Sequence, residues 1–297
     1  MIPYTIADFI KIDGTQTHQR KFGETHFVQH RETGEKGVLK LLKKENLSEN
    51  LLSQLKREAQ LSFSEKGLPE ILATYENDTY FSFVKRYQSG IPWKEYCDKL
   101  NDKDFYAHLP KAVVQLLLLL HSVHEKGFIH GDVKPSNILI QALSPTDFQL
   151  ELIDFGMSFP IGFQTNEKLP FSLGFSAPEI LLNHLELANE TTDFFTLGIT
   201  IYNLFTGKIP LAHPNPELFI NLQLTHPIPK HSHIPKSIFT LIEKMTVKPN
   251  FALPPNQISK EEINVLLLES INNRLKYKDL ISKFKGLNLK RKWFGTF

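Results

Sequence analysis

The stretch FIHGDVKPSNILI, residues 128–140, sets His130, Asp132, Lys134 and Asn137 within eight positions and flanks them with Phe128, Ile129, Ile138, Leu139 and Ile140. Polar side chains at this density must either hydrogen-bond to one another or face water. The fold therefore has to place a polar turn between two buried segments. A second short apolar run, LELI at 150–153, follows the turn residues SPTD and leads into Asp154-Phe155-Gly156. This pattern reads as a hairpin with polar groups at its entrance and its exit. By itself, His-Gly-Asp reads as a charged turn between a helix and that hairpin. The reading changes only if the spacing to Asp154 carries chemistry.

Upstream of residue 87 the chain is strand-rich. THFVQH (25–30), GVLKLL (37–42), ILATY (71–75) and TYFSFV (79–84) are short β-branched and aromatic runs, divided by ETGE (32–35) and END (76–78). They predict successive antiparallel hairpins. Between them, Leu47, Leu51, Leu52, Leu55, Ala59 and Leu61 fall near a helical period over 46–62, after a possible N-cap at Asn46 or Ser48. Downstream, helical patterns cover 104–126, 193–207, 217–224, 236–246, 260–270 and 274–285, joined by Pro-rich connectors. With 297 residues the chain can form one large domain or two small ones, and the predicted division is 1–86 and 87–297.

Charge excludes little except an electrostatic case for nucleic acid: 34 basic and 32 acidic side chains leave a net charge of +2. Cys97 is the single cysteine, so no intrachain disulfide can form and a reducing, cytoplasmic setting is expected. The N-terminus lacks the pattern of a secretory signal. The most apolar segment, AVVQLLLLLHSVH from Ala112, is shorter than the ~18–20 residues a membrane span needs and predicts a buried helix.

Asp132 with Asn137 five positions later and Lys134 between, then Asp154-Phe155-Gly156 twenty-two residues after Asp132, resembles the protein kinase family of serine/threonine type, with His-Gly-Asp in place of His-Arg-Asp. The chemistry fits these residue types, because phosphoryl transfer depends on aligning a nucleophile and neutralising charge on the transferring oxygens. The resemblance implies Asp132 as catalytic base and Lys134 as stabiliser of the moving phosphoryl group. It implies Asn137 and Asp154 as ligands of Mg²⁺ or Mn²⁺. GVLK resembles the family's Val-Ala-Ile-Lys strand, which makes Lys40 the partner of the ATP phosphates and Glu58, 18 residues on, the partner of Lys40. SAPE (176–179) resembles the end of the family's activation segment. Glu179 is thereby paired with Arg274, Asp193 braces the catalytic loop alongside His130, and Ser172 contacts Asp132 and Lys134.

The implied fold is α+β and bilobal: a small antiparallel sheet lobe with one helix (1–86) and a mainly helical lobe (87–297), with ATP in the cleft and a protein as second substrate. Residues 250–270 resemble an insertion, either an extra amphipathic helix packed on the large lobe or a docking surface.

Several positions depart from the family. Gly23 falls at the third glycine of the phosphate loop, with Phe22 before it, but His18 and Arg20 occupy the first two glycine positions. Gly131 replaces the Arg that in the family receives an activation-segment phosphate, so activity independent of that phosphorylation is expected. At the hinge, Lys85 or Val84 falls beside the adenine and the backbones of Arg86 and Gln88 fall opposite its edge. Two other classes compete: a pseudokinase that binds partners without catalysis, and a small-molecule phosphotransferase, whose families also use His-Gly-Asp. Lys134, Ala177-Pro178-Glu179 and Asp193 favour a protein substrate over the last.

Overall fold

Alternation of buried and open positions builds the first sheet. The computed structural model describes residues 4–12, 18–20 and 23–287, with 18–20 described by backbone alone. The strands are β1 (Phe9–Lys11), β2 (His18–Arg20), β3 (Gly23–His30), β4 (Lys36–Lys43), then, after helix α1 (Glu49–Gln60), β5 (Ile71–Glu76) and β6 (Tyr80–Arg86). They form an antiparallel sheet ordered β1-β3-β4-β6-β5, with β2 also paired to β3. Period-two alternation sends neighbouring residues to opposite faces. Leu39 joins Phe9, Val28, Leu72, Ala73 and Val84 on one face. Leu42 joins Ala59, Ile71, Phe81 and Phe83 on the other, where Leu47, Leu52 and Leu55 also pack. Each fully buried Phe or Leu contributes about 1.5–3 kcal/mol, so α1 is held chiefly by this second cluster. Ser48 caps α1 by accepting from the Leu51 amide.

The chain falls into two compact units, Met1–Gly90 with Glu151–Gly156, and Ile91–Leu150 with Met157–Phe297. Residues 151–156 thus group with the first unit although they lie far along the chain. Leu152 donates its amide to the Gly67 carbonyl and the Phe155 ring lies 5.7 Å from that of Phe63, which ties this short segment to the first unit.

In the second unit, β7 (Ile91–Pro92), α2 (Trp93–Asp98) and α3 (Asp102–Glu125) precede β8 (Phe128–Ile129). Strands β9 (Ile138–Ser144) and β10 (Asp147–Leu152) make the predicted hairpin, with β7 on the far side of β9. Next come β11 (Phe159–Pro160), paired to β8, and α4 (Pro178–Leu181). Helices α5 (Glu190–Thr206), α6 (Pro216–Thr225), α7 (Lys236–Met245), α8 (Lys260–Asn272) and α9 (Tyr277–Lys285) complete it. Helix α5 is buried along nearly its whole length and packs on α7 and α3, while α9 packs on α3. Its termini follow capping rules: Asn189 caps the start, and Gly207 at φ 66° takes the left-handed position that ends it.

Helix α8 lies in the 250–270 segment. Ser259 caps it, and it buries Leu267, Ser270 and Ile271, so it is a packed helix of the second unit. Sequence reading missed β1, β2, β7, β8, β11 and α2, which are too short for periodicity to register. It also began the last helix at 274 rather than Tyr277. Arg274 lies between α8 and α9, where it meets a carboxylate partner described below.

Candidate active site

Two clusters of charged side chains stand out, one in each unit. In the first, β4 directs Lys40 to the α1 face of the sheet. Its Nζ donates to Glu58 Oε1 at 2.7 Å and Oε2 at 2.8 Å. Lys40 Nζ also lies 3.9 Å from Asp154 Oδ1. Glu58 is fully buried, whereas the Asp154 carboxylate is 39% exposed. Asp154 sits at φ 63°, a left-handed conformation that Asp tolerates better than most residues and that costs backbone strain. Gln54, one turn before Glu58 on α1, donates its amide to the Gly156 carbonyl and so holds the segment after Asp154.

Burial alone would push the Glu58 carboxyl up. Lys40 and Lys85, both donating to it, outweigh that and hold it down to about 2, against an ordinary 4.5. Burial pushes Lys40 downward, opposed by Glu58. A carboxyl lower in the folded than the unfolded chain stabilises the fold above pH 4.5 and loses that contribution as pH falls toward 2. Wild type is therefore expected to lose about 3 kcal/mol more than Glu58→Gln over this window. Urea unfolding at stepped pH checks it, and parallel curves for the two proteins would contradict it.

In the second unit the 128–140 stretch forms a tight polar knot. Asp132 accepts at Oδ2 from Lys134 Nζ at 2.7 Å and from Asn137 Nδ2 at 2.7 Å. Its Oδ1 accepts from Ser172 Oγ at 2.5 Å, and Lys134 Nζ donates to that same Ser172 oxygen at 3.0 Å. Underneath, Asp193 on α5 is fully buried and accepts from the amides of His130 and Gly131, both at 2.9 Å, and from His124 Nε2 at 2.8 Å. Although burial alone would raise the Asp193 carboxyl, these bonds, led by that from His124, keep it below the usual range. His130 Nδ1 accepts the Asp132 amide at 3.2 Å. The loop is thus fixed from below by backbone-directed bonds and presents Asp132 above.

Gly131 stands at φ +76°, and a Cβ there would lie 2.8 Å from the Met157 carbonyl oxygen. An Arg cannot occupy this position without moving the backbone. Further along, Glu179 and Arg274 are both wholly buried and form a bidentate pair at 2.6 and 2.9 Å. Thr192 Oγ1 also donates to Glu179, and Arg274 Nε to the Val247 carbonyl.

The structure therefore brings Lys40 to Glu58, Asp132 to Lys134, Asn137 and Ser172, Asp193 to the His130 backbone, and Glu179 to Arg274. Other expectations fall differently. Val84 is buried in the cluster with Phe9 and Val28, on the face away from Lys40, so it is Lys85 that faces the Lys40 side. Arg86 donates its amide to the Glu70 carbonyl and its side chain to Glu70 and Glu35. Gln88 is half-buried, with its Nε2 buried and without a hydrogen-bond partner among the described residues. A Cβ on Gly23 would meet the Leu41 carbonyl oxygen at 2.4 Å, so strand packing already demands glycine there. Phe22 lies outside the described residues.

Sequence reading missed Gln54, His124, Tyr277, Thr192 and Thr200. The signal existed for His124, a polar residue soon after the apolar run that begins at Ala112, on the buried side of α3, where it needs a partner. It has two: Asp193, and Tyr277 Oη at 2.6 Å. Thr200 donates to the Val133 carbonyl at 2.7 Å.

Mg²⁺ in nucleotide enzymes takes one or two protein ligands and completes its shell with phosphates and water. The donors here suit that role. Asp154 offers a half-exposed carboxylate, and Asn137 Oδ1 accepts only weakly, from Ser136 Oγ at 3.4 Å. Among the described residues no three His, Cys, Asp or Glu side chains form a ready-made metal cluster.

The protein kinase domain family matches residues 19–274, and the chain belongs to that family. It is 29% identical over 240 residues to an Aurora kinase of Candida glabrata, covering 79% of this chain and 64% of the relative. It is 24% identical over 299 residues to mitogen-activated protein kinase kinase 2 of Arabidopsis thaliana, covering 95% and 74%. Citron Rho-interacting kinase of Mus musculus is 26% identical over 200 residues, or 64% of this chain and 10% of that protein. The chain thus spans a tenth of the citron kinases it matches and about a quarter of myosin light chain kinase 3. A domain of this family uses ATP and a divalent metal ion.

Proposed function

We propose that this protein transfers the γ-phosphoryl group of ATP to serine or threonine hydroxyls of proteins. The observation that carries the reading is the Asp132–Ser172–Lys134 contact. An aliphatic hydroxyl already sits 2.5 Å from the Asp132 carboxylate, its oxygen 3.0 Å from an ammonium group. An acceptor hydroxyl in the same surroundings would be oriented by Asp132, which takes its proton as the new O–P bond forms and the bond to ADP breaks. Lys134 would offset charge on the moving group. Lys40, held by Glu58, would meet the α- and β-phosphates, while the backbone of Gln88, rather than that of Arg86, whose amide is bonded to Glu70, would meet the adenine edge. Asp154 and Asn137 would hold the metal ion, which when bound supplies charge neutralisation on the phosphate oxygens. Glu179, Arg274, Asp193 and His130 would be structural. With no intrachain disulfide possible, we place the protein in a reducing compartment such as the cytoplasm.

The test is transfer of label from ATP with Mg²⁺, first to a generic basic protein and then to a panel of small alcohols and amines. Label on serine or threonine of the protein, lost in Asp132→Asn, supports the reading. Label on small molecules alone would make the protein a small-molecule phosphotransferase. Nucleotide-dependent thermal stabilisation with no transfer would make it a binding module.

Activity without activation-segment phosphorylation belongs to the same proposal. The segment is ordered by other means: β11 pairs with β8, and Phe163, Leu169 and Phe171 pack on Ile129, Phe159, Ile180 and Leu185. Gly174 donates its amide to Gln223. Of the hydroxyls between Asp154 and Glu179, Ser158 and Ser176 are buried and Ser172 contacts Asp132. That leaves Thr165 as the accessible one. Thr165→Ala is expected to keep kcat/KM within about threefold of wild type. Loss of activity regained only in Thr165→Glu would contradict the proposal.

A further inference from the structure

Helices α6 and α8, the turn at 253–256 and the residues after α4 enclose a groove of about 490 Å³ in the second unit. Its apolar lining comes from Leu182, Ile220, Leu224, Pro255 and Ile263. The large apolar side chains of Leu218, Leu253, Val265 and Leu268, all exposed, stand on the same elements. Apolar surface gathered in this way marks a place where something binds. His184, which also lines the groove, is buried, and its Nδ1 makes no hydrogen bond among the described residues. Native proteins seldom leave such an atom unpaired.

The margin of the groove is acidic. Glu217 lines it, Glu186 Oε1 stands 3.4 Å from His184 Nδ1, and Glu261 and Glu262 lie in the first turn of α8, directly before Ile263. Glu217, Glu261 and Glu262 are exposed and form no ion pair among the described residues. Lys260 offsets one of the four charges. An occupant that suits both features carries aromatic or aliphatic groups next to several cations. The chain contains such a segment: residues 288–297 read Asn-Leu-Lys-Arg-Lys-Trp-Phe-Gly-Thr-Phe. We propose that residues 288–297 seat in the α6–α8 groove, with Trp293, Phe294 and Phe297 on its apolar lining and Lys290, Arg291 and Lys292 against its acidic margin. Aromatic anchors inside a polar rim are the usual source of binding energy in an interface. The segment follows Leu287, two residues past α9. Ten residues extend to about 33–36 Å, twice the radius of gyration of about 16 Å expected for a body of about 200 residues, so the groove of the same chain is within reach. None of the residues assigned to phosphoryl transfer takes part, and the seating stands or falls apart from that assignment.

Trp293 reports on it directly. The chain has two tryptophans, and Trp93 is 1% exposed and so shielded from acrylamide. In the full chain Trp293 is expected to be quenched at least about fivefold less than in a synthetic peptide of residues 288–297. Glu217→Lys with Glu262→Lys, both at exposed positions, is expected to bring quenching within about twofold of the peptide, and adding Lys290→Glu and Arg291→Glu to restore most of the protection. Quenching of wild type as ready as that of the peptide would overturn the proposal, as would protection that the groove variant leaves unchanged. A photoreactive benzoylphenylalanine introduced at position 294 decides the matter without altering the groove. Adducts are expected on residues 217–224 or 253–263 of the same chain. Adducts joining two chains would overturn the seating in favour of a second copy, and adducts elsewhere on the chain, or none, would overturn it outright.

Discussion

Replacing Asp132 with Asn is expected to lower kcat about 10²–10⁴-fold with little change in KM for ATP. The substitution keeps size and shape, and the amide can still accept from Ser172 Oγ at Oδ1, where Asp132 accepts at 2.5 Å. It removes the negative charge that lets this oxygen take a proton from an acceptor hydroxyl. It also deprives Lys134 Nζ, 2.7 Å from Oδ2, of its anionic partner. Both losses weigh on the transition state more than on the ground state, so they belong in kcat. The Lys40–Glu58 cluster is untouched by the change, and ATP affinity should follow it. Steady-state kinetics with varied ATP read both parameters, and a kcat within about threefold of wild type would show that Asp132 does not act on the hydroxyl.

The second large effect is on stability. Arg274→Ala, or Glu179→Ala, is expected to lower the unfolding free energy by about 3–5 kcal/mol, because each leaves a fully buried charge without its partner. Arg274 also spans elements far apart in sequence. Its guanidinium reaches Glu179, its Nε the Val247 carbonyl, and its plane lies 5.0 Å from the Phe195 ring. Truncating it therefore unsettles three segments together. Exchanging both partners for apolar residues, Glu179→Leu with Arg274→Met, should cost less than the two single losses added. Denaturant melts of the three variants check this. A loss below about 1 kcal/mol in either single variant would mean that water reaches the pair.

Sequence reading could reach the chemistry wherever polar residues lay close in the chain or at a fixed interval from an apolar run. Asp132, Lys134 and Asn137 lie within six positions, and Asp154 follows a short strand by two residues. The same is true of helices such as α3 and α7, whose apolar stripes run long enough to show a period. It could not reach contacts whose partners carry no local mark. The resemblance sets Lys85 or Val84 beside the adenine, and only the β4–β6 register shows that Lys85 shares a face with Lys40. Gln54 and Thr200 bond to backbone carbonyls of segments far along the chain, a kind of partner that leaves no trace in residue type. Residues 151–156 group with the first unit, a division inside β10 that the strand's own residues do not mark. What divides it is the long-range bond from Leu152 to Gly67, together with the packing of Phe155 on Phe63.

The proposed phosphoryl transfer requires Lys40, Asp154, Asn137 and Asp132 to act on a single nucleotide. A crystal structure of the protein with a non-hydrolysable ATP analogue and Mg²⁺ tests it most directly. The expected result is Lys40 Nζ on the α- or β-phosphate, oxygens of Asp154 and Asn137 on the metal ion, and the Asp132 carboxylate facing the γ-phosphate from the acceptor side. An analogue bound away from Lys40, or the carboxylates of Asp132 and Asp154 on separate surfaces with no nucleotide between them, would contradict it.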